Sequence, residues 1–191
     1  FMSDPVLARA SKVARGIRIL RQEPWETLCS FIISQNNNIP RIKKIIRTLS
    51  EAYGEQISLP DGLVFFAFPT AHALKKAGSE ALYACGTGFR AKYLSSAAEM
   101  VSDNPFFLTE TAALPTVEAA ENLKRIKGVG DKVAACTLLF GLARYDAFPV
   151  DVWIKRVLAE SYPDGAASQL SGAFAGIAQQ YLFYMRRYTE K

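Results

Sequence analysis

Cysteine and histidine are scarce. The 191 residues hold three cysteines, Cys29, Cys85 and Cys136, and one histidine, His72. The cysteines are far apart and show no CxxC spacing. They argue against a zinc site, a four-cysteine iron–sulfur cluster and a disulfide framework, and they fit a reducing compartment. No apolar run reaches the length of a membrane span, and no signal peptide is recognisable, so an intracellular place is expected. Alternation of period two is missing as well, as are low-complexity tracts and clear internal repeats. Extended sheet is therefore not expected.

What is present is an ordinary globular composition. Half of the residues are hydrophobic and 21% are charged. The length suits one sizeable domain or two small ones, with a real core. Lys+Arg 23 against Asp+Glu 18 gives +5, and the pI is about 9.1. A polyanion is a reasonable partner for such a chain, although the charge alone selects none.

Most windows carry the helical period. Trp25 to Ile33 is apolar and of a length that suits a buried helix. Asn36-Asn37-Asn38 breaks it, and Pro40 can open the next. There Ile42, Ile45, Ile46 and Leu49 share a face, with Arg41, Lys43, Lys44 and Arg47 elsewhere. A short helix follows Phe68-Pro69-Thr70 and ends near Gly78. Gly86-Thr87-Gly88 is a turn, and residues 89–101 read as helix. Further helices are expected over 116–126, 131–143, 151–161 and 166–187. The fold class is all-α, with eight to ten helices in two lobes spanning residues 1–191.

One stretch carries chemistry. Ile126-Lys127-Gly128-Val129-Gly130-Asp131-Lys132 joins two helices through a glycine turn. The pair forms a helix-hairpin-helix over about residues 115–143. Glycines permit positive φ and close backbone approach, and the amides that open the second helix can meet a phosphate. On the turn alone, an ordinary αα-corner with a glycine cap competes equally. Lys132 sits in the first turn of its helix, where a cation opposes the macrodipole, a position that suits an amine nucleophile. Cys136, four residues on, shares its face. Asp151, after Phe148-Pro149-Val150, is placed to cap the following helix and can leave one carboxylate oxygen for a cavity.

This segment resembles the helix-hairpin-helix DNA glycosylases, whose signature is a hairpin, a Gly/Pro-rich loop and an aspartate. Within that superfamily the chain resembles the 8-oxoguanine DNA glycosylases. Gly128 to Cys136 carries the family's catalytic lysine. Ser34 to Arg41 resembles its asparagine loop, Gly88 to Tyr93 its wedge loop, and Gly176 to Phe183 its base-pocket helix. These motifs run in family order from residue 34 to residue 183.

The resemblance implies a base-excision-repair enzyme, a bifunctional glycosylase and AP lyase. It would remove 8-oxoguanine opposite cytosine from duplex DNA through base flipping, a Lys132 Schiff base and β-elimination. Asp151 would stabilise positive charge on the sugar. Cys136, Gln179 and Phe183 would form the damaged-base pocket. Phe89 would be the wedge, and Asn36, Arg41 and Arg90 would hold the estranged cytosine. Gly128, Val129, Gly130 and Trp153 would meet the DNA backbone. No cofactor is required and no iron–sulfur cluster is expected. A cation held by hairpin carbonyls near Val129 is implied, and the enzyme would work as a monomer away from membranes.

Two departures stand out. Nothing here corresponds to the family's N-terminal β-rich domain, and Trp153 occupies a position where relatives often have histidine. The competing functions are a same-fold glycosylase for another damaged base and a non-catalytic helix-hairpin-helix DNA-binding domain.

Overall fold

A computed structural model describes every residue except 2, 164, 166–169 and 189–191. Among the described residues it contains ten α-helices and one small hairpin. The helices are α1 (Pro5–Val13), α2 (Pro24–Ser34), α3 (Ile39–Tyr53), α4 (Ala71–Leu82), α5 (Ala91–Asp103), α6 (Phe107–Ala113), α7 (Thr116–Lys124), α8 (Asp131–Cys136), α9 (Val152–Ser161) and α10 (Ala175–Tyr188). A π-helical turn, Thr137–Gly141, extends α8, and a 3-10 turn, Gly88–Arg90, leads into α5. No described helix is long and apolar enough to cross a membrane.

Local chemistry sets the helix ends. Asp4 caps α1, Glu23 with Pro24 opens α2, and Thr70 caps α4. Each supplies a side-chain oxygen to amides that lack an intrahelical partner. Within α4, Gly78 at φ 76° kinks the helix where the sequence suggests an end, and the chain continues to Leu82.

Three expectations need correction. Extended sheet was not expected, yet β1 (Gln56–Ser58) and β2 (Val64–Phe66) form an antiparallel pair with Ile57 opposite Phe65. All six residues are exposed, so neither strand has a buried face to impose alternation. The last helix begins at Ala175 rather than 166; Gly172 at φ 132° interrupts the chain first, and residues 166–169 lie outside those described. Helices α1 and α6 were not anticipated.

The buried apolar side chains form two clusters. The larger gathers α2 to α8, with Leu28, Ile32, Leu49, Leu94, Leu123, Ile126 and Leu139 fully or almost fully enclosed. The smaller joins Leu7 and Ala10 of α1 to Ile154 and Val157 of α9 and to Ala178, Leu182 and Met185 of α10. The chain thus starts in the smaller cluster, leaves it, builds the larger one, and returns through residues 148–151. Tyr162 fastens the return by donating to the Asp4 carboxylate at 3.1 Å, and burial with that carboxylate pushes the phenol above its ordinary range.

Candidate active site at the junction of the two cores

The hairpin turn owes its shape to two glycines with different jobs. Gly128 has φ +84°, and a Cβ there would lie 2.2–2.4 Å from ring atoms of Tyr93. Gly130 instead is the extended N-cap of α8. Val129 between them is buried, its amide donating to the Ile126 carbonyl at 3.0 Å. The turn therefore lies against α5.

Lys132 lines a cavity of about 390 Å³ together with Cys136, Asp151, Gln179 and Phe183. The five residues that the sequence assigns to catalysis and base binding share one hollow, contributed from both cores. Its volume falls within the range of ordinary small-ligand pockets, roughly 300–1,000 Å³. Lys132 Nζ donates to Ser34 Oγ at 3.4 Å and lies 4.9 Å from the centre of the Phe31 ring. No described carboxylate forms an ion pair with it.

Asp151 caps α9 as expected. Its Oδ1 accepts from the amides of Trp153 at 3.0 Å and Ile154 at 2.9 Å. Both bonds fall on one oxygen, Oδ1, while the residue also lines the cavity. Cys136 is 4% exposed. Burial above all pushes its thiol up to about 11, with Asp151 adding to the rise and Lys132 opposing it. Near neutral pH it is a neutral, polarisable wall. Gln179, also buried, accepts at Oε1 from Gln180 Nε2 at 2.6 Å.

Residues not anticipated complete the lining. Phe31 and Phe140 stack with centroids 5.5 Å apart, and Ser34, Asn37, Ile39, Pro149, Gln180 and Arg187 fill the rest. A larger hollow of about 600 Å³ opens between Trp25, Phe68, His72 and Pro105, but its lining has no lysine or cysteine. Chemistry rather than size selects the smaller one.

The asparagine triplet divides three local tasks. Asn36 sits at φ 46°, a left-handed turn that asparagine tolerates. Asn37 Nδ2 donates back to the Ile33 carbonyl at 3.0 Å, closing α2. Asn38 caps α3 by accepting from the Arg41 amide at 3.0 Å. The Asn36 and Arg41 side chains are exposed. Phe89 protrudes at the tip of its glycine turn, 52% exposed, with an edge-to-face contact to Tyr93 at 5.9 Å.

Arg90, expected as a donor to an unpaired base, has partners within the protein here. It is 2% exposed. Its guanidinium donates to the Gln35 carbonyl through Nε at 2.8 Å and again through a terminal nitrogen, to the Asn36 carbonyl at 2.8 Å and to the Thr87 carbonyl at 3.2 Å. In this geometry it fastens the asparagine loop to the wedge loop. Burial, and then the nearby charge of Arg41, pull it below the usual guanidinium range. Arg41 itself is exposed.

Among the described residues no group of three or more His, Cys, Asp or Glu side chains could hold a metal ion.

These features define a class: a helical frame in which a glycine hairpin presents a lysine to a cavity that also holds a helix-capping aspartate. The chain belongs to the HhH-GPD superfamily of base excision DNA repair proteins, whose pattern matches residues 29–169. It is 39% identical over 171 residues to the N-glycosylase/DNA lyase of Saccharomyces cerevisiae, covering 84% of this chain and 45% of that protein. The solved structure of MBOgg1 with a low-affinity DNA ligand superposes with a TM-score of 0.89 at 42% identity, over 100% of this chain and 68% of that one. The Clostridium acetobutylicum 8-oxoguanine glycosylase/lyase, solved with duplex DNA containing cytosine opposite 8-oxoG, gives 0.87 at 39% identity, covering 99% of this chain and 68% of that one. The chain spans about half the length of the curated relatives it matches, 45% and 54%.

Proposed function

We propose that this chain excises 8-oxoguanine opposite cytosine from duplex DNA and then cuts the strand as an AP lyase. The observation that carries the reading is the shared cavity: Lys132 and Asp151 line one hollow together with the Cys136 thiol, the buried Gln179 and the Phe183 ring. An extruded purine nucleotide has the matching parts, a flat base, a sugar and flanking phosphates.

The neutral Lys132 amine attacks C1′ of the flipped nucleotide. A C–N bond forms as the N-glycosidic bond breaks, and the leaving base takes the electron pair and a proton. The sugar ring opens to a Schiff base on Lys132. A proton is lost at C2′, and its electron pair expels the 3′ phosphate oxygen by β-elimination. Water then hydrolyses the imine and frees Lys132. Asp151 Oδ2 stabilises the positive charge that develops on the sugar. Gln179 hydrogen-bonds the purine edge between Cys136 and Phe183. Phe89 fills the vacated stack, and Asn36 and Arg41 meet the orphaned cytosine. Residues 128–130 hold the DNA backbone, and backbone carbonyls near Val129 would hold a cation, which would supply positive charge beside a phosphate.

Borohydride trapping tests the reading. The wild-type chain should form a covalent adduct with an 8-oxoguanine:cytosine duplex, and Lys132→Gln should form none. An adduct that survives the substitution would remove Lys132 from the chemistry. Equal cleavage of uracil, thymine glycol and 8-oxoguanine duplexes would refute the proposed substrate.

A further inference from the structure

Arg187 stands on the last turn of α10 and lines the cavity beside Gln180 and Phe183. Its guanidinium carbon lies 5.8 Å from the centre of the Trp153 ring, 5.8 Å from that of Phe183 and 5.6 Å from that of Tyr188. Trp153 in turn carries Arg156 at 5.2 Å. One exposed cation at the cavity is thus surrounded by three rings drawn from α9 and α10. Its neighbour Arg186 behaves differently and pairs with Glu160 at 2.9 Å.

Aromatic faces hold a guanidinium by its flat side and leave its in-plane N–H groups directed outward. That fork matches the oxygens of a phosphate. The position matters as much as the chemistry. If the sugar lies between Lys132 and Asp151 and the base lies against Cys136 and Phe183, the nucleotide's phosphates remain at the rim, where Arg187 stands.

We propose that Arg187 binds a phosphate flanking the extruded nucleotide, with Trp153 and Phe183 as the platform that fixes its plane. The inference rests on the glycosylase reading above. It also replaces the expectation that Trp153 meets the backbone itself: the indole supports the donor. The partner is a backbone phosphodiester, read by charge and shape rather than by sequence.

The test uses single-turnover cleavage of an 8-oxoguanine:cytosine duplex across enzyme concentrations. Three duplexes are compared: one all-phosphodiester, and one with a neutral methylphosphonate at each of the two phosphates flanking the lesion. Arg187→Ala should raise the half-saturating concentration about tenfold on the ordinary duplex, the scale of one charge-assisted hydrogen bond. On one methylphosphonate duplex the wild type and the variant should be equal. Arg187→Lys should recover only part of the loss, because an ammonium has no fork to lay on the rings. Because Arg187 is exposed, the variants should keep the wild-type melting temperature. Wild-type affinity in Arg187→Ala, or a defect unchanged by either methylphosphonate, would overturn the inference. A wild-type chain that cleaves no 8-oxoguanine duplex would instead overturn the glycosylase reading.

Discussion

Replacing Arg90 separates two jobs that look alike in sequence. In the structure this side chain joins Gln35, Asn36 and Thr87 through four hydrogen bonds and is 2% exposed. Arg90→Ala removes all four donors. Water can reach the exposed Asn36, whereas the Gln35 and Thr87 carbonyls lie deeper. Each buried acceptor left unmatched costs about 1–2 kcal/mol, and the void adds packing loss, so about 3 kcal/mol in total is expected. For a chain of this size that is roughly 6–12 °C in melting temperature. Thermal unfolding by circular dichroism reads the shift directly. Cleavage of 8-oxoguanine opposite each of the four bases reads the other job. A fastener predicts a large fall in melting temperature and slower cleavage opposite every base by a similar factor. A direct reader of the orphaned base predicts an unshifted melting temperature and a relaxed opposite-base ratio. A melting temperature within 1 °C of wild type would refute the fastening argument, a threshold set by roughly 2–4 °C per kcal/mol.

Other perturbations follow from the same geometry. Asp151→Asn keeps a side-chain oxygen for the α9 cap, so stability should change by less than about 0.5 kcal/mol, while excision should fall roughly 100-fold through loss of charge; equal losses in Asp151→Asn and Asp151→Ala melting temperatures would contradict this split. Gly128→Ala places a Cβ against the Tyr93 ring at positive φ and should cost about 3 kcal/mol, with Gly128→Ala/Tyr93→Ala recovering only the steric part in denaturant unfolding. Cys136 has a folded value near 11 against an ordinary thiol value of 9.0, so the neutral form is favoured by folding. Its contribution is fully present below the unfolded value and is lost as pH rises through the folded one, a window of about pH 9 to 11. Mass spectrometry after iodoacetamide at pH 8 should find Cys85 modified well before Cys136; the reverse order would show that the cavity wall is open to thiolate chemistry.

The sequence speaks most clearly where the chemistry is local. Pro40 and Asp151 mark helix starts through the amides that they leave or satisfy, and α3 and α9 begin beside them. Spacing alone put Lys132 with Cys136 and Gln179 with Phe183 on shared helical faces; that all four line one cavity was expected only through the family resemblance, since Cys136 and Phe183 otherwise read as core. Phe31 and Phe140 were not, because an aromatic in an apolar helix reads as core whether it faces packed side chains or a hollow. Arg90 shows the limit from the other side. Two of its three acceptors are the Gln35 and Asn36 carbonyls, 55 and 54 residues away, which residue types do not reveal. The β1–β2 hairpin is too short and too exposed to leave a periodic trace, although Pro60-Asp61-Gly62 between its strands is a turn signal.

The path of the chain has a consequence for quality control of the reaction. The larger core is threaded into the smaller one, whose parts come from both ends of the described chain. Lys132 is anchored beside Val133 in the first, and Asp151 beside Ile154 in the second. Melting of either core alone separates amine from carboxylate while both residues remain intact. Under the proposed mechanism a half-folded chain would therefore be silent, because the amine and the carboxylate line one cavity only once the two cores have come together.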